Sequence, residues 1–171
     1  MNQKLNNQTF QNFKNDKELC AYLAGAIDCD GSIVAQFVRR KDYKLGYQIR
    51  CTVQLSQKKK RRQFLDELYT LVGLGYRRER GDMFDWIVTD TQQVKILLEV
   101  LRDYLRMKQA QAVLILDILE RLPNVKNDPK KFLQVAELVD SVSSLNDSIL
   151  SKRIHTAETV RNFFVSKGFI E

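Results

Sequence analysis

The segment LAGAIDCDG, residues 23–31, constrains the fold of this chain more than any other stretch. It belongs to a predicted helix that begins at a cap-like pair, Asn15 and Glu18, and is apolar almost all the way round. Such a helix is buried on more than one side, and its small residues allow another backbone to come very close, although an ordinary central core helix has the same pattern. The end of this helix differs from that of an ordinary core helix. Asp28 and Asp30 follow the apolar run, and carboxylates in a tightly packed position need a cap, an ion-pair partner or a metal ion.

Composition limits the chain to one good hydrophobic core and gives it a positive charge. With 171 residues, of which 44% are hydrophobic, we expect a single domain spanning residues 1–171. The 28 lysine and arginine residues outnumber 21 acidic residues and give a formal net charge of +7. Such a molecule attracts polyanions, of which nucleic acid is the first candidate, although the excess charge could also serve only solubility.

The cysteine and histidine content excludes several kinds of site. Cys20, Cys29 and Cys51 are odd in number and lack C-x-x-C spacing, which predicts a reduced compartment rather than a disulfide framework. The single histidine, His155, excludes a histidine-rich zinc site and a serine–histidine nucleophile. The polar amino-terminal segment does not resemble a signal peptide, and no apolar stretch is long enough to cross a bilayer, so we expect no membrane partner.

Two predicted hairpins carry polar side chains on one strand face. Residues 47–56 alternate strictly between apolar and polar side chains, and residues 32–40 are expected to pair with them. A second hairpin, residues 75–90, places Arg78 and Arg80 on one face of its first strand. Glutamine and arginine form bidentate hydrogen bonds with adenine and guanine, so a face built from them suits a DNA groove. Any solvated sheet face is also polar, and the strand of residues 47–56 taken alone favours that simpler interpretation.

Predicted helices join and follow the hairpins. The first has a basic start, residues 58–62, which is either a solvated helix end or a phosphate clamp, and Gly73 is its expected stop. Further helices begin near residue 90 and at the Asp-Pro pair 128–129, whereas residues 1–14 show no periodicity and are expected to form a loose arm. The order helix, hairpin, helix, hairpin and helices predicts an α+β fold, with one sheet of four antiparallel strands and helices on one of its faces.

The motif and several later segments resemble one protein family. LAGAIDCDG is similar to the defining motif of the LAGLIDADG homing endonucleases and differs from it at Ala26 and Cys29. The segments QKKKRRQFLD, VGLGYRRERG, LRMKQAQA, RLP and KFLQV follow in the order typical of the single-motif group encoded in chloroplast introns, and the resemblance covers residues 19–146. It implies that family's αββαββα core with a saddle-shaped sheet, here residues 15–122, followed by C-terminal helices and a basic tail in residues 123–171.

The resemblance implies a site-specific enzyme that hydrolyses one phosphodiester in each strand of double-stranded DNA and leaves short 3′ overhangs. Because the chain has one copy of the motif, it implies a homodimer on a nearly palindromic site and no small-molecule substrate. The family packs its motif helices against each other, which would place Ala21, Ala24, Gly25 and Asp28 at the dimer interface. The location implied is an organelle, the chloroplast.

The family's site residues carry over to particular positions. Asp30 would be catalytic and bind a divalent metal, with Cys29 offering its backbone carbonyl; Mg²⁺ is the expected cofactor, Mn²⁺ would substitute, and Ca²⁺ would support binding without cleavage. Gln57, Arg61 and Lys108 would order water and stabilise negative charge on phosphate. Taken singly, Gln57 is better interpreted as a helix cap and Arg61 and Lys108 as solvated charges, whereas all three together at the family's positions favour the catalytic interpretation. The residues that would contact DNA are Gln36, Val38, Arg40, Tyr43, Gln48, Arg50, Gln54, Arg78, Arg80, Asp85, Ile87, Lys152 and Arg153.

Two other functions occur on the same fold. Some relatives assist intron splicing as RNA maturases, and others, with altered acids, bind DNA as regulators without cutting it. The combination of Gln57, Arg61 and Lys108 favours cleavage but leaves a second role on RNA open. The retained Asp30 argues against a regulator that does not cut.

Overall fold

The fold alternates helices and hairpins in the predicted order. A computed structural model describes residues 7–146 and 154–171 of the chain. In chain order the helices and strands are α1 (Asn7–Asn15), α2 (Lys17–Asp30), β1 (Gly31–Arg39), β2 (Tyr47–Lys58), α3 (Arg62–Val72), β3 (Tyr76–Arg80), β4 (Met83–Val88), α4 (Thr91–Leu101), α5 (Gln109–Arg121), α6 (Pro129–Ser144) and α7 (Ala157–Ser166). Short 3₁₀ turns at Lys59–Arg61 and Leu122–Asn124 precede α3 and follow α5.

The four strands form one antiparallel sheet with the order β1-β2-β4-β3. The register pairs Ser56 of β2 with Asp85 of β4, and Arg78 of β3 with the same aspartate. Side chains directly opposite each other on neighbouring strands share a face, so this register brings three polar residues together. The sheet and the helix order confirm the predicted α+β fold.

The first of two compact units comprises the described residues up to Ile33 together with Thr52–Ala112. In this unit α1 packs against α2 and α3, α2 packs against α4, and α3 packs against β3 and β4. Trp86 is fully buried, and its indole Nε1 donates a hydrogen bond of 2.9 Å to the carbonyl oxygen of Leu74. A buried indole needs such a partner, so this contact fixes the ring in the core.

The second unit comprises Val34–Cys51 and the described residues from Val113 onward. Helix α7 packs against α6, and the rings of Phe132 and Phe164 meet edge to face at 5.4 Å. The guanidinium of Arg39 lies 3.7 Å from the centre of the Phe163 ring, a favourable cation–π distance. The boundary between the units falls inside β1 and β2, so the expectation of a single domain stays a prediction.

The loose arm expected for residues 1–14 is wrong from residue 7 onward, where the chain forms α1. Phe10 and Phe13 are buried in α1, but two apolar residues in a polar segment give too weak a periodic signal to predict a helix. Because α1 continues to Asn15, that residue does not cap α2. The cap is Asp16, whose carboxylate accepts a hydrogen bond of 2.9 Å from the backbone N–H of Leu19.

Three other predicted helix boundaries are confirmed, namely the end of α3 and the starts of α4 and α6. Gly73 ends α3 with a left-handed φ of 72°, and Asp90 caps α4 by accepting hydrogen bonds from two backbone N–H groups. Asp128 caps α6, and Pro129 occupies its first turn. In the described ranges no helix is both long and apolar enough to cross a membrane.

Gly75 is expected to tolerate no side chain, because its φ is +75° and an added Cβ would lie 2.3 Å from the carbonyl oxygen of Ile87. We expect Gly75→Ala to lower the free energy of unfolding by about 3 kcal/mol or more, since left-handed strain adds to a backbone clash. Gly81→Ala is the matched control, because Gly81 has a φ of +58° and nothing within 4 Å of an added Cβ. Urea denaturation measures both variants. Equal losses would contradict the close approach at Gly75.

Candidate active site and nucleic-acid interface

The end of α2 is built directly onto strand β2. The last residue of α2 is Asp30, and Gly31 begins β1. A Cβ on Gly31 would lie 2.8 Å from the Cα of Ile27 and 3.1 Å from the carbonyl oxygen of Gln54. Only glycine fits at that distance, so the sequence Asp-Gly fixes where the helix stops and where its last carboxylate stands.

Asp30 is exposed and is linked to two of the predicted catalytic residues. The Nε2 of Gln57 donates a hydrogen bond of 2.9 Å to Oδ2 of Asp30. The Nη1 of Arg61 donates in turn to Oε1 of Gln57 at 3.4 Å. Gln57 therefore holds the carboxylate on one side and the guanidinium on the other, which keeps a cation close to the acid without a direct ion pair.

The fourth predicted catalytic residue, Lys108, is held at the same end of α2 through Asp28. The Asp28 carboxylate is buried, and it accepts hydrogen bonds from the backbone N–H groups of Arg106 at 2.7 Å and Lys108 at 2.9 Å. The Nζ of Lys108 donates to the backbone carbonyl of Asp28. The segment between α4 and α5 is thus tied to α2 two residues before Asp30.

The exposed face of α2 is a narrow stripe of small residues. Ala21, Gly25 and Cys29 are exposed at four-residue intervals, and Tyr22 beside them is 58% exposed. The predicted dimer-interface residues Ala24 and Asp28 do not belong to this stripe, because they lie on the buried face of the helix. Residues four positions apart lie on the same face of a helix. Ala24 and Asp28 each lie one position before a residue of the stripe, and their side chains therefore point into the core of their own chain.

The predicted DNA contacts on the sheet and its β1–β2 loop reach solvent in both units, with two exceptions. In the second unit the predicted DNA contacts that are at least partly exposed are Gln36, Val38, Arg40, Tyr43, Gln48 and Arg50. In the first unit they are Gln54, Arg78 and Arg80. Asp85 and Ile87 are buried, with 0% and 3% of their surface accessible, so their prediction as direct DNA contacts is wrong for this conformation. Lys152 and Arg153 lie outside the described residues.

Asp85 is buried because its neighbours on the sheet close over it. Its Oδ1 accepts a hydrogen bond of 2.7 Å from Ser56, and Ser56 accepts one of 2.7 Å from Nε2 of Gln54. Its Oδ2 lies 3.3 Å from Nη2 of Arg78 and 3.5 Å from Nε of Arg80. Burial by itself would raise the pKa of Asp85, but the hydrogen bonds from Ser56 and Arg78 and the charge of Arg80 outweigh it and leave the pKa below its ordinary value.

Sequence reasoning missed Ser56 as a partner of Asp85. The signal was available, since Ser56 lies on the polar face of β2, but only the strand register places it opposite Asp85. It also missed Asp42, which pairs with Arg40 in the loop between β1 and β2. An acid two residues after an arginine gives no periodic signal in a loop.

The comparison with protein families decides the assignment. The family model described as LAGLIDADG endonuclease matches residues 23–120, a range that contains Asp30, Gln57, Arg61 and Lys108. The chain belongs to the LAGLIDADG endonuclease family.

Two relatives in the LAGLIDADG family are similar over most of their length. The chain is 45% identical over 150 residues to DNA endonuclease I-CreI from Chlamydomonas reinhardtii, covering 88% of this chain and 91% of that protein. It is 39% identical over 151 residues to DNA endonuclease I-CvuI from Chlorella vulgaris, covering 88% of this chain and 92% of that protein.

Solved structures of homing endonucleases have the same fold. The structure of I-CvuI in complex with the I-CreI target, with magnesium present and the DNA not cleaved, superposes with a TM-score of 0.86 at 37% identity and covers 94% of this chain and 100% of that chain. The archaeal intron-encoded endonuclease I-Vdi141I, complexed with DNA, gives a TM-score of 0.79 at 16% identity and covers 91% of this chain and 100% of that chain. At that identity the second match shows the fold alone.

Asp85→Asn should destabilise the protein in a pH-dependent way. At pH 7 we expect a loss of about 1–3 kcal/mol, because the amide cannot accept from Ser56, Arg78 and Arg80 together. The low pKa of Asp85 in the folded state means that its contribution is complete above the ordinary carboxyl pKa and is lost as pH falls through the folded-state value. The difference from wild type should therefore shrink below about pH 4.

Thermal and urea unfolding between pH 3 and pH 7 measure the Asp85→Asn effect. Asp103→Asn is the matched control, because Asp103 is 79% exposed and only 3.6 Å from Arg102. We expect the control to change stability by less than about 0.5 kcal/mol at any of these pH values. A pH-independent loss in Asp85→Asn would contradict the ionised, arginine-paired carboxylate.

Proposed function

We propose that the chain is a site-specific DNA homing endonuclease that binds a long, nearly palindromic site as a homodimer and hydrolyses one phosphodiester in each strand. The observation that carries this proposal is the hydrogen-bonded chain from Asp30 through Gln57 to Arg61 at the end of the motif helix. Its 45% identity to a protein named DNA endonuclease supports the same activity.

Homodimer formation is supported by the exposed stripe on α2. Ala21, Gly25 and Cys29 leave the backbone of the helix accessible, and nothing lies within 4 Å of a Cβ built on Gly25. Close packing of two such helices buries the small residues of both and brings the two motif ends together. A symmetric dimer in turn reads a DNA site whose halves are related by the same twofold axis.

Divalent metal binding at Asp30 is supported by the chemistry of the residues present. Oδ2 of Asp30 accepts from Gln57, and Oδ1 has no hydrogen-bond donor among residues 7–146 and 154–171. Mg²⁺ prefers such carboxylate oxygens, and the backbone carbonyl of Cys29 is a second oxygen donor of the kind it takes. Over the same residues no group of three or more histidine, cysteine, aspartate or glutamate side chains is placed to hold a metal. We expect DNA phosphate and Asp30 of the partner subunit to supply the remaining ligands.

The remaining site residues act on water and phosphate. When bound, Mg²⁺ would activate the attacking water and stabilise charge on the leaving oxygen. The Nε2 of Gln57 donates to Asp30 and carries a second N–H, which would orient a water beside that carboxylate. Arg61 and Lys108 are positively charged and stabilise the negative charge that develops on the phosphate. Mn²⁺ should replace Mg²⁺, whereas Ca²⁺ should allow binding without cleavage.

DNA binding is supported by the charge and by the exposed sheet residues. The net charge of +7 attracts the phosphate backbone, and glutamine and arginine side chains on the strands suit base edges in the major groove. Lys152 and Arg153 are proposed as further phosphate contacts. We expect the cuts to leave short 3′ overhangs. We also expect the protein to act in an organelle, the chloroplast.

Asp30→Asn should abolish cleavage and leave DNA binding intact. The amide keeps the shape and the contact with Gln57 but lacks the charge that holds a cation, so we expect cleavage at least about 100-fold slower. Target sites come first from a random DNA library enriched in palindromes, incubated with wild type in Mg²⁺ and in Ca²⁺. Gel assays on a selected site then compare the variant with wild type and with Glu99→Gln, an exposed control on α4.

The outcomes separate the candidate functions. Staggered cuts by wild type in Mg²⁺, with binding alone in Ca²⁺, would support the proposal. Binding without cuts in either ion would indicate a regulator, and the absence of both would direct the test to intron RNA. Cleavage by Asp30→Asn at the wild-type rate would disprove the metal role of Asp30.

Gly25→Leu should block dimer formation without unfolding the protomer. The open space around an added Cβ leaves the fold of the single chain undisturbed, whereas a leucine prevents two helices from approaching closely. Sedimentation velocity should give a dimer for wild type and a monomer for the variant, with unchanged circular dichroism. Asn162→Leu, at an exposed position of α7, is the control. A dimeric Gly25→Leu protein would show that the interface lies elsewhere.

A further inference from the structure

The predicted DNA contact Arg40 is already held by an acid in the same loop. Its Nε donates a hydrogen bond of 2.8 Å to Oδ1 of Asp42, and its Nη2 donates one of 2.6 Å to Oδ2. This is a bidentate pair in which two parallel hydrogen bonds fix the plane of the guanidinium. Both side chains stay accessible, with 39% of Arg40 and 62% of Asp42 exposed.

The loop that carries this pair is closed by its own backbone. The N–H of Arg40 donates to the carbonyl of Gly46 at 3.0 Å, and the N–H of Gly46 donates to the carbonyl of Tyr43 at 2.8 Å. The guanidinium of Arg40 also lies 5.3 Å from the centre of the Tyr43 ring. Backbone closure and the ring both restrict where the guanidinium can point.

The pairing leaves a defined edge of the Arg40 guanidinium free for a ligand. Arginine has five N–H donors in a planar fork, and Asp42 occupies the one on Nε and one of the two on Nη2. Three N–H groups remain, and two of them, one on Nη1 and the second one on Nη2, are adjacent and parallel. Two parallel donors at that spacing match O6 and N7 of guanine, the commonest specific contact in the major groove.

We propose that Asp42 is a specificity-determining residue that positions Arg40 to read a guanine. The inference rests on the proposed function, because it requires that the sheet binds DNA. Without Asp42 the long side chain of Arg40 is free to turn toward the nearest phosphate, which carries no sequence information. With Asp42 the same guanidinium presents a fixed pair of donors to a base edge.

The charge of Asp42 gives the inference a distinctive signature. The hydrogen bond and the charge of Arg40 lower the pKa of Asp42 to about 2, so the carboxylate is ionised under any neutral assay condition. An exposed ion pair contributes little to folding, and a negative charge near bound DNA opposes the phosphates. Removal of the charge should therefore raise total affinity while it lowers base discrimination, a combination that loss of a merely structural residue does not produce.

The experiment compares base preferences of full-length variants on the same DNA library. Wild type, Arg40→Ala, Asp42→Asn and Asp42→Ala each select from a randomised library in Ca²⁺, which is expected to permit binding without cutting. Asp117→Asn is the matched control, since Arg121 binds Asp117 through the same two atoms, Nε at 2.6 Å and Nη2 at 3.0 Å, but on helix α5. Affinities for one selected site are then measured between 50 mM and 200 mM salt, and circular dichroism checks folding.

Four results are expected. Arg40→Ala removes the preference for guanine at one position in each half-site, a discrimination of about tenfold or more in wild type. Asp42→Asn and Asp42→Ala lower that same preference about three- to tenfold, and the alanine variant lowers it more because it accepts no hydrogen bond. Both variants bind mixed-sequence DNA more tightly, and the slope of log affinity against log salt steepens by about one for each bound subunit. Asp117→Asn changes neither quantity.

Several results would overturn the inference. A guanine preference that Arg40→Ala removes but both Asp42 variants retain would show that Asp42 does not position Arg40, with DNA binding still established. Unchanged guanine preferences in Arg40→Ala, or an equal effect of Asp117→Asn, would refute it in the same way. Failure of wild type to select any sequence would instead overturn the proposed function itself and this inference with it.

Discussion

The carboxylate of Asp28 is the contact on which the geometry at the end of α2 depends. It is buried, and it accepts hydrogen bonds from two backbone N–H groups, those of Arg106 and Lys108. A buried carboxylate is costly without donors, so these two bonds hold the segment between α4 and α5 at a fixed place. Asp30 follows two residues later on the same helix. One anchor therefore sets the positions of both the acid and the lysine that the proposed reaction needs.

Four aspartates of this protein, two buried and two exposed, have different roles. Asp28 and Asp85 are buried, and each is satisfied by several donors of its own chain. Asp30 and Asp42 are exposed, and each accepts from one neighbouring side chain. Buried carboxylates fix other groups in place, because an unpaired charge in the interior is costly. The exposed carboxylates serve a ligand instead: Asp30 keeps an oxygen available, and Asp42 orients the guanidinium of Arg40.

Much of the fold could be predicted from the sequence, whereas the burial of single side chains could not. Strict alternation in β2 and the caps Gly73, Asp90 and Asp128 are local signals, and each gave the correct element or boundary. Alternation assigns Asp85 to the polar face of β4 but does not show that two arginines and a serine cover it, since that depends on strand register. The prediction of Ala24 at the dimer interface failed for a related reason. Small residues occur on all faces of α2, and composition does not reveal which face stays exposed.

The network around Asp85 also limits how the surface of the sheet can change during evolution. Gln54, Arg78 and Arg80 all depend on one buried carboxylate, directly or through Ser56. Replacement of either arginine alone leaves part of that charge unpaired, so the effect of each substitution depends on the residue at the other position. Exposed positions such as Gln36 carry no such penalty. A lineage that acquires a new DNA target would therefore vary freely at positions such as Gln36. It would have to replace Asp85 and the residues bonded to it together.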